Sequence, residues 1–203
     1  MILQPKNDQV NESLCIIATG SNLPSGLKGD QPAVGAALKL LSKESLKILQ
    51  VSPSYRSPAF PAGSGPDYVN GAVLVSTRLS REEMLTVLHE IERNVGRTRR
   101  IRWEPRVIDL DLIDYAGQIA PDMAGFKTWF EMPLEQQMKQ APEQLILPHP
   151  RLQDRPFVLI PMRDIVPNWR HPVTGLSIFQ MLARFSRKEL LDIQKIEDGE
   201  SAS

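Results

Sequence analysis

Apolar and polar positions alternate along this chain in blocks that change period several times, and each change marks an element. Leu14 to Ala18 is a short apolar strand closed by the turn-forming run Thr19-Gly20-Ser21-Asn22. After a loop with Pro24, Gly26 and Gly29, the residues Val34, Ala37, Leu38, Leu41 and Leu46 recur at helical spacing, which predicts a helix from Pro32 to Leu46. Leu46 to Ser57 and Tyr68 to Thr77 read as strands, separated by a Pro- and Gly-rich loop from Pro58 to Pro66. Ser80 stands three residues before Glu83, a capping-box signature, and Met84, Leu85, Leu88 and Ile91 then mark one face of a helix ending near Val95-Gly96. Val107 to Ile113 is the next strand. The order β-α-β-β-α-β predicts an α+β fold, a ferredoxin-like α/β sandwich with a mainly antiparallel sheet.

Beyond Tyr115 the periodicity weakens. Residues 120–144 read as an insertion, helical after Pro133 across Glu131 to Gln140, with Trp129 and Phe130 as core or insertion packing. Pro148 to Phe157 is turn-rich, Val158 to Ile165 is a compact apolar element, and Leu176 to Phe185 carries a third amphipathic pattern. From Ser186 to Ser203 charge dominates and a tail is expected. At 203 residues the chain suits a single catalytic-sized domain, its core spanning about 14–172.

Composition narrows the function classes. Lys plus Arg and Asp plus Glu are 24 each, so no net field draws the protein to nucleic acid or membrane, and an anion site has to be local. The one cysteine, Cys15, sits in an apolar run and reads as a buried thiol; His89 and His171 read as structural. The first thirteen residues are polar, and no apolar run approaches the ~20 residues that span a bilayer. A cytoplasmic protein, monomeric and without nucleic-acid or membrane partners, is the expectation.

Charge is concentrated in one place. Arg93, Arg97, Arg99, Arg100, Arg102 and Arg106 lead into a strand that carries Asp109 and Asp111 on one face and Ile108, Leu110 and Leu112 on the other. Two carboxylates side by side in a partly dry site repel each other unless a cation lies between them or arginines lie close. Mg²⁺ shared with a phosphate resolves that conflict, because it favours one or two carboxylates together with phosphate oxygens. The competing reading is a solvated strand edge with ordinary arginine pairs. Gly20, Gly26 and Lys28 do not have the spacing of a Walker A loop, no GxGxxG is present, and His89-Glu90 lacks the second histidine of a zinc helix.

Gly20-Ser-Asn-Leu, Tyr68-Val-Asn70, Glu92 with Gly96-Arg97-Thr-Arg99, the run from Arg102 to Asp111, and Pro148-His149-Pro-Arg-Leu with Arg155-Pro-Phe157 occur in an order that resembles the 6-hydroxymethyl-7,8-dihydropterin pyrophosphokinase family. The resemblance covers about Leu14 to Pro172. It implies transfer of pyrophosphate from ATP to 6-hydroxymethyl-7,8-dihydropterin, giving AMP and the pterin diphosphate, in folate biosynthesis. It also implies site residues: Asp109 and Asp111 holding two Mg²⁺ ions, with Arg97 and Arg106 stabilising the group in transfer. Glu92, Arg99, Trp103, His149 and Arg155 would line the ATP site. Ser57, Pro58, Phe60, Tyr68, Asn70 and Phe157 would line the pterin site, Tyr68 and Phe157 as stacking faces and Asn70 as reader of the ring edge. From the residues alone, His149 between two prolines is equally a turn stabiliser, and residues such as Tyr68 and Phe157 are more often core than ligand platforms.

Four positions depart from the family pattern. Glu104 stands where glycine usually precedes Pro-Arg, Pro61 replaces a glycine in the pterin loop, and Gln144 and Ile146 occupy positions that often carry arginine and threonine. Two alternatives follow: a family member with weakened catalysis that binds nucleotide or pterin, and an RNA-binding ferredoxin-like module suggested by the arginine run.

Overall fold

The computed structural model describes residues 12–22, 33–42, 46–59, 65–95, 107–137 and 139–197. Five strands come from the expected order: β1 (Ser13–Ser21), β2 (Leu46–Val51), β3 (Tyr55–Ser57), β4 (Tyr68–Thr77) and β5 (Asp109–Tyr115). They interleave with α1 (Ala33–Leu41) and α2 (Arg81–Val95), followed by α3 (Met123–Phe130), α4 (Leu134–Gln137), α5 (Pro156–Ile165), α6 (Ile178–Leu182) and α7 (Arg187–Leu191). A last two-residue strand, β6 (Gln194–Lys195), closes the six-stranded sheet, whose order is β5-β1-β4-β3-β6 with β2 also on β4. Every pairing among the described strands is antiparallel, as the ferredoxin-like reading requires.

Alternation along the central strands builds two cores. Cys15, Ile17, Val73, Val75, Leu110 and Leu112 face α1 and α2, where they meet Ala37, Leu41, Met84, Leu88 and Ile91. Ile16, Ala18, Ala72 and Ile113 face the opposite way, toward Leu159 and Met162 of α5 and Ile178 and Met181 of α6. The helix cap predicted at Ser80 is present in both halves: the Glu83 amide donates to Ser80 Oγ at 3.2 Å and the Ser80 amide to a Glu83 carboxylate oxygen at 2.7 Å.

Four expectations are corrected. The segment from Leu46 to Ser57 is two strands, because Pro53 has no amide to donate and Ser52 Oγ takes the Ala72 amide at 2.9 Å in place of a ladder carbonyl. The first helix stops at Leu41, and Leu46, read as its last apolar position, opens β2 opposite Thr77. The helix expected within Glu131 to Gln140 shrinks to the four residues of α4; the main helix of the insertion is α3, capped by Asp122, whose Oδ1 accepts from the Gly125 amide at 2.8 Å. The expected charged tail is folded as far as Glu197, since Ser186 and Glu189 form a further capping box that starts α7, and β6 then pairs with β3.

The insertion is anchored by aromatic contacts. Phe126, fully buried, stacks on Phe130 at 5.3 Å, and both rings meet the edge of His171 at 5.9 Å. Gly125 is required there, for a Cβ would fall 2.7 Å from Cγ of Pro121.

Candidate active site

Among the described residues α5 and α6 pack on Ile16, Ala18, Ala72 and Ile113 of one sheet face, and at its β5 end Gly20, Asp109 and Asp111 are partly exposed. Toward the start of β5 the cross-strand row runs Asp109, Gly20, Asn70, Tyr55, and the next row runs Asp111, Ala18, Ala72. Residues opposite one another in an antiparallel pair project to the same face, so the carboxylates stand at one side of Gly20 with the buried Asn70 amide at the other, and Ala18 and Ala72 beside them belong to the buried cluster under α5 and α6. A side chain at position 20 would rise beside Asn70, 3.8 Å from its Oδ1. Asp109 and Asp111 are both half-buried, while Leu110 and Leu112 between and beyond them are buried on the opposite side.

The acidic end is braced from three directions. Arg155, at the N-cap of α5 and followed by Pro156 in the first turn, places Nη1 3.1 Å from Oδ2 of Asp111. Glu92, on α2, is 2% exposed, and its Oε1 accepts the Leu110 amide at 2.8 Å, tying the helix to β5 midway between the aspartates. The Pro148-His149-Pro150 turn lies along the outer edge of β5, the His149 amide donating to the Ile113 carbonyl at 2.8 Å.

The His149 ring is oriented by its own turn. Nδ1 accepts the Arg151 amide at 3.1 Å, so the proton of the neutral imidazole sits on Nε2. Burial, reinforced by the neighbouring Arg155 cation, holds this histidine well below the usual imidazole range against the opposing pull of Asp109. It is a neutral donor at physiological pH.

The amide end is built differently. Asn70 is buried, and its Nδ2 donates to Ser57 Oγ at 2.9 Å and reaches the carbonyls of Tyr55 and Tyr68 at 3.5 Å. Its nitrogen is thereby satisfied inside the protein. Ser57 is buried, Pro58 exposed, and Tyr68 and Phe157 are half-buried. Tyr68 is opposite Ser57 in the ladder and Phe157 lies in the first turn of α5. Neither ring stacks on another aromatic side chain among the described residues, and Phe157 packs against the cluster under α5.

Asp109, Asp111, Glu92, His149 and Arg155 therefore gather at one end of this row, and Ser57, Asn70 and Tyr68 at the other. Arg97, Arg99, Trp103, Arg106 and Phe60 lie outside the described residues, as do Glu104 and Pro61. Sequence reasoning missed Tyr55 and Asp164, whose hydroxyl-to-carboxylate hydrogen bond fixes β3 to α5. The signal available was slight: a tyrosine in register with Asn70. Among the described residues no group of three or more His, Cys, Asp or Glu side chains is arranged to hold a metal ion.

Residues 16–167 match the family described as 7,8-dihydro-6-hydroxymethylpterin-pyrophosphokinase. The chain belongs to that family. A 2-amino-4-hydroxy-6-hydroxymethyldihydropteridine pyrophosphokinase of Synechocystis sp. is 35% identical over 167 residues, covering 82% of this chain and 73% of the relative. The pyrophosphokinase of the same name from Pseudomonas aeruginosa is 31% identical over 167 residues, 82% of this chain and 88% of that one. Among solved structures, an HPPK-DHPS of Plasmodium falciparum superposes with a TM-score of 0.60 over 89% of this chain at 14% identity, a likeness of fold. This chain spans only 45% of that longer protein, so it corresponds to part of it. Among the described residues no helix is long and apolar enough to cross a membrane.

Proposed function

We propose that the open half of the sheet face is the transfer site of a pyrophosphokinase of folate biosynthesis, with ATP phosphates over the acidic end and the pterin over the amide end. The observation that supports the reading is the row Asp109, Gly20, Asn70, in which carboxylates suited to a metal and phosphate and an amide suited to a ring edge share one sheet face across a glycine. ATP is the co-substrate of the family to which the chain belongs.

The donor set fits a hard cation. Two half-buried carboxylates on one strand face offer only oxygens and leave room for phosphate oxygens and water, the environment that Mg²⁺ prefers over an all-protein cage. Asp109 and Asp111 would hold two Mg²⁺ ions, which when bound neutralise phosphate charge. Arg155 adds a cation next to Asp111, and His149 offers Nε2–H to a phosphate oxygen without adding charge of its own. Arg97, Arg99, Arg106, Trp103 and Phe60 keep the roles that the family resemblance implies.

The pterin is flat, with amide-like edges. Tyr68 and Phe157 supply faces, and Asn70, its Nδ2 already engaged by Ser57, presents Oδ1 to a ring N–H. Pro58 borders the same pocket. The hydroxymethyl oxygen of the pterin attacks the β-phosphorus of ATP in line; a new O–P bond forms, the bond from the β-phosphorus to the bridging α-oxygen breaks, and AMP leaves with that oxygen. The hydroxyl proton passes to solvent and no covalent enzyme intermediate is needed.

The reading extends to a cytoplasmic monomer acting on two small molecules without nucleic acid, supported by a net charge of zero. Protein, ATP, Mg²⁺ and the hydroxymethyl dihydropterin are incubated and the nucleotides separated. AMP in step with pterin diphosphate is expected. ADP instead of AMP, or calorimetric binding of both substrates with no AMP, sinks the assignment, the latter in favour of a family member that only binds.

A further inference from the structure

β6 lies at the edge of the sheet opposite β5 and its aspartates, one strand away from the Asn70 end of the row. Gln194 and Lys195 pair with Arg56 and Tyr55 of β3, and the Ile196 amide donates to the Ser54 carbonyl at 2.9 Å. β3 itself has three residues between Pro53 and Pro58, neither of which can donate to a ladder. It nevertheless has to hold Ser57 under Asn70 within hydrogen-bonding distance, 2.9 Å. A strand that short, paired on one side only, is weakly fixed in register, and a one-residue slip would carry Ser57 to the opposite face.

The segment that delivers β6 is itself anchored. The Ser186–Glu189 capping box starts α7, and Leu190 and Ile193 pack against the cluster that contains Tyr55, Leu182 and Ile160. Tyr55, 6% exposed, is held from the other side by its hydrogen bond to Asp164 of α5. Three attachments thus converge on β3: β4, β6 and α5.

We propose that residues 186–197 are a clasp that positions the pterin site, fixing β3 from its outer edge and through it the Ser57–Asn70 pair. The clasp touches neither substrate. It rests on the assignment of Ser57 and Asn70 to the pterin made above. Because the phosphate end is built on β5, α2, the His149 turn and Arg155 at the far N-terminal end of α5, none of which pairs with β6, loosening the clasp weakens pterin binding and leaves ATP binding alone.

The test uses the full chain with each substrate varied separately. Ile196→Pro removes the amide that reaches Ser54; Leu190→Ser detaches α7 while leaving every backbone donor in place. Lys195→Ala, at an exposed side chain whose backbone pairing is untouched, is the control. Ile196→Pro and Leu190→Ser should each raise the KM for pterin about fivefold or more, with ATP KM and kcat within about twofold of wild type. Lys195→Ala should match wild type. Asn70→Ala is measured alongside. If it raises pterin KM and the clasp variants, folded by circular dichroism, do not, the clasp is wrong and the pterin site stands. If Asn70→Ala leaves pterin KM unchanged, the pterin-site reading falls and the clasp with it. Equal rises in both KM values, or unfolding of both clasp variants, also overturn the proposal and reduce the segment to general support of the fold.

Discussion

The two faces of the sheet are made by the same strands and do different work. β5 sends Leu110 and Leu112 toward α1 and α2, and Asp109 and Asp111 toward the open face. β1 does likewise, with Cys15 and Ile17 on one side and Ala18 and Gly20 on the other. On the closed face most contributions are apolar, with the buried Thr19 an exception; burial pushes the Cys15 thiol up to about 12, so it carries no thiolate at neutral pH. On the open face the side chains become small exactly where the carboxylates and Asn70 need room. A two-residue period lets one strand supply a core and a site whose residues vary independently of each other.

The largest expected effect separates the faces outright. Asp109→Ala or Asp111→Ala should cut turnover by about 10³ or more while leaving Tm within a few degrees. Retained activity in either would remove the metal role; loss of the fold would mean that the faces are coupled. The mirror experiment is Leu88→Ala on the closed face, expected to cost about 3 kcal/mol in urea unfolding while both KM values of the remaining folded enzyme stay unchanged.

A third effect concerns the covered half of the second face. His171 is fully buried, accepts the Val173 and Thr174 amides at Nδ1, and burial pushes it down to about 4. A histidine whose folded value is depressed lets the unfolded chain bind the proton first, so stability is full above about 6.5 and falls as pH drops toward about 4. Its share of the loss between pH 7 and pH 5 is about 2 kcal/mol. Tm measured against pH should show that slope, and a flatter one in His171→Asn, whose side-chain oxygen can still accept; identical slopes would assign the loss elsewhere. The smallest effect is at Asp114, buried, with Oδ2 accepting the Gly117 amide and the Trp169 side chain as a further hydrogen-bond partner. Burial raises this carboxyl against the lowering pull of those two hydrogen bonds, so Asp114→Asn should leave Tm at pH 7 unchanged or slightly raised with no change in kcat. A fall in Tm would show that its charge is needed.

Sequence disclosed what depends on local pattern. The Ser80–Glu83 cap, the strand from Tyr68 to Thr77 and the division of β5 into two faces follow from spacing alone, and all are present. The break after Val51 was hidden because Ser52 imitates a ladder group with its hydroxyl, so the strand pattern runs on through the irregularity. The tail was hidden for the opposite reason: Ser186-x-x-Glu189 carries the same signature as Ser80-x-x-Glu83, yet charge around it masks the weak apolar pair Leu190 and Ile193. In the site, Asp109, Asp111, His149 and Arg155 were legible as residues and are brought together, Arg155 reaching Asp111 across 44 positions. The Tyr55–Asp164 bond joins residues 109 positions apart, and no short-range pattern announces it.

Glu92 and the His149 turn have a consequence away from substrates. β5 is an outermost strand, and such strands offer unpaired amides and carbonyls to any other chain that can extend alongside them. Glu92 takes the Leu110 amide and the His149 amide takes the Ile113 carbonyl, so two of the outward-facing groups of this apolar strand are already occupied within the molecule. The flanking prolines 148 and 150 discourage further pairing along that turn. Groups gathered at the phosphate end thus also keep the sheet from growing by self-association, and their loss is a solubility risk as well as a kinetic one.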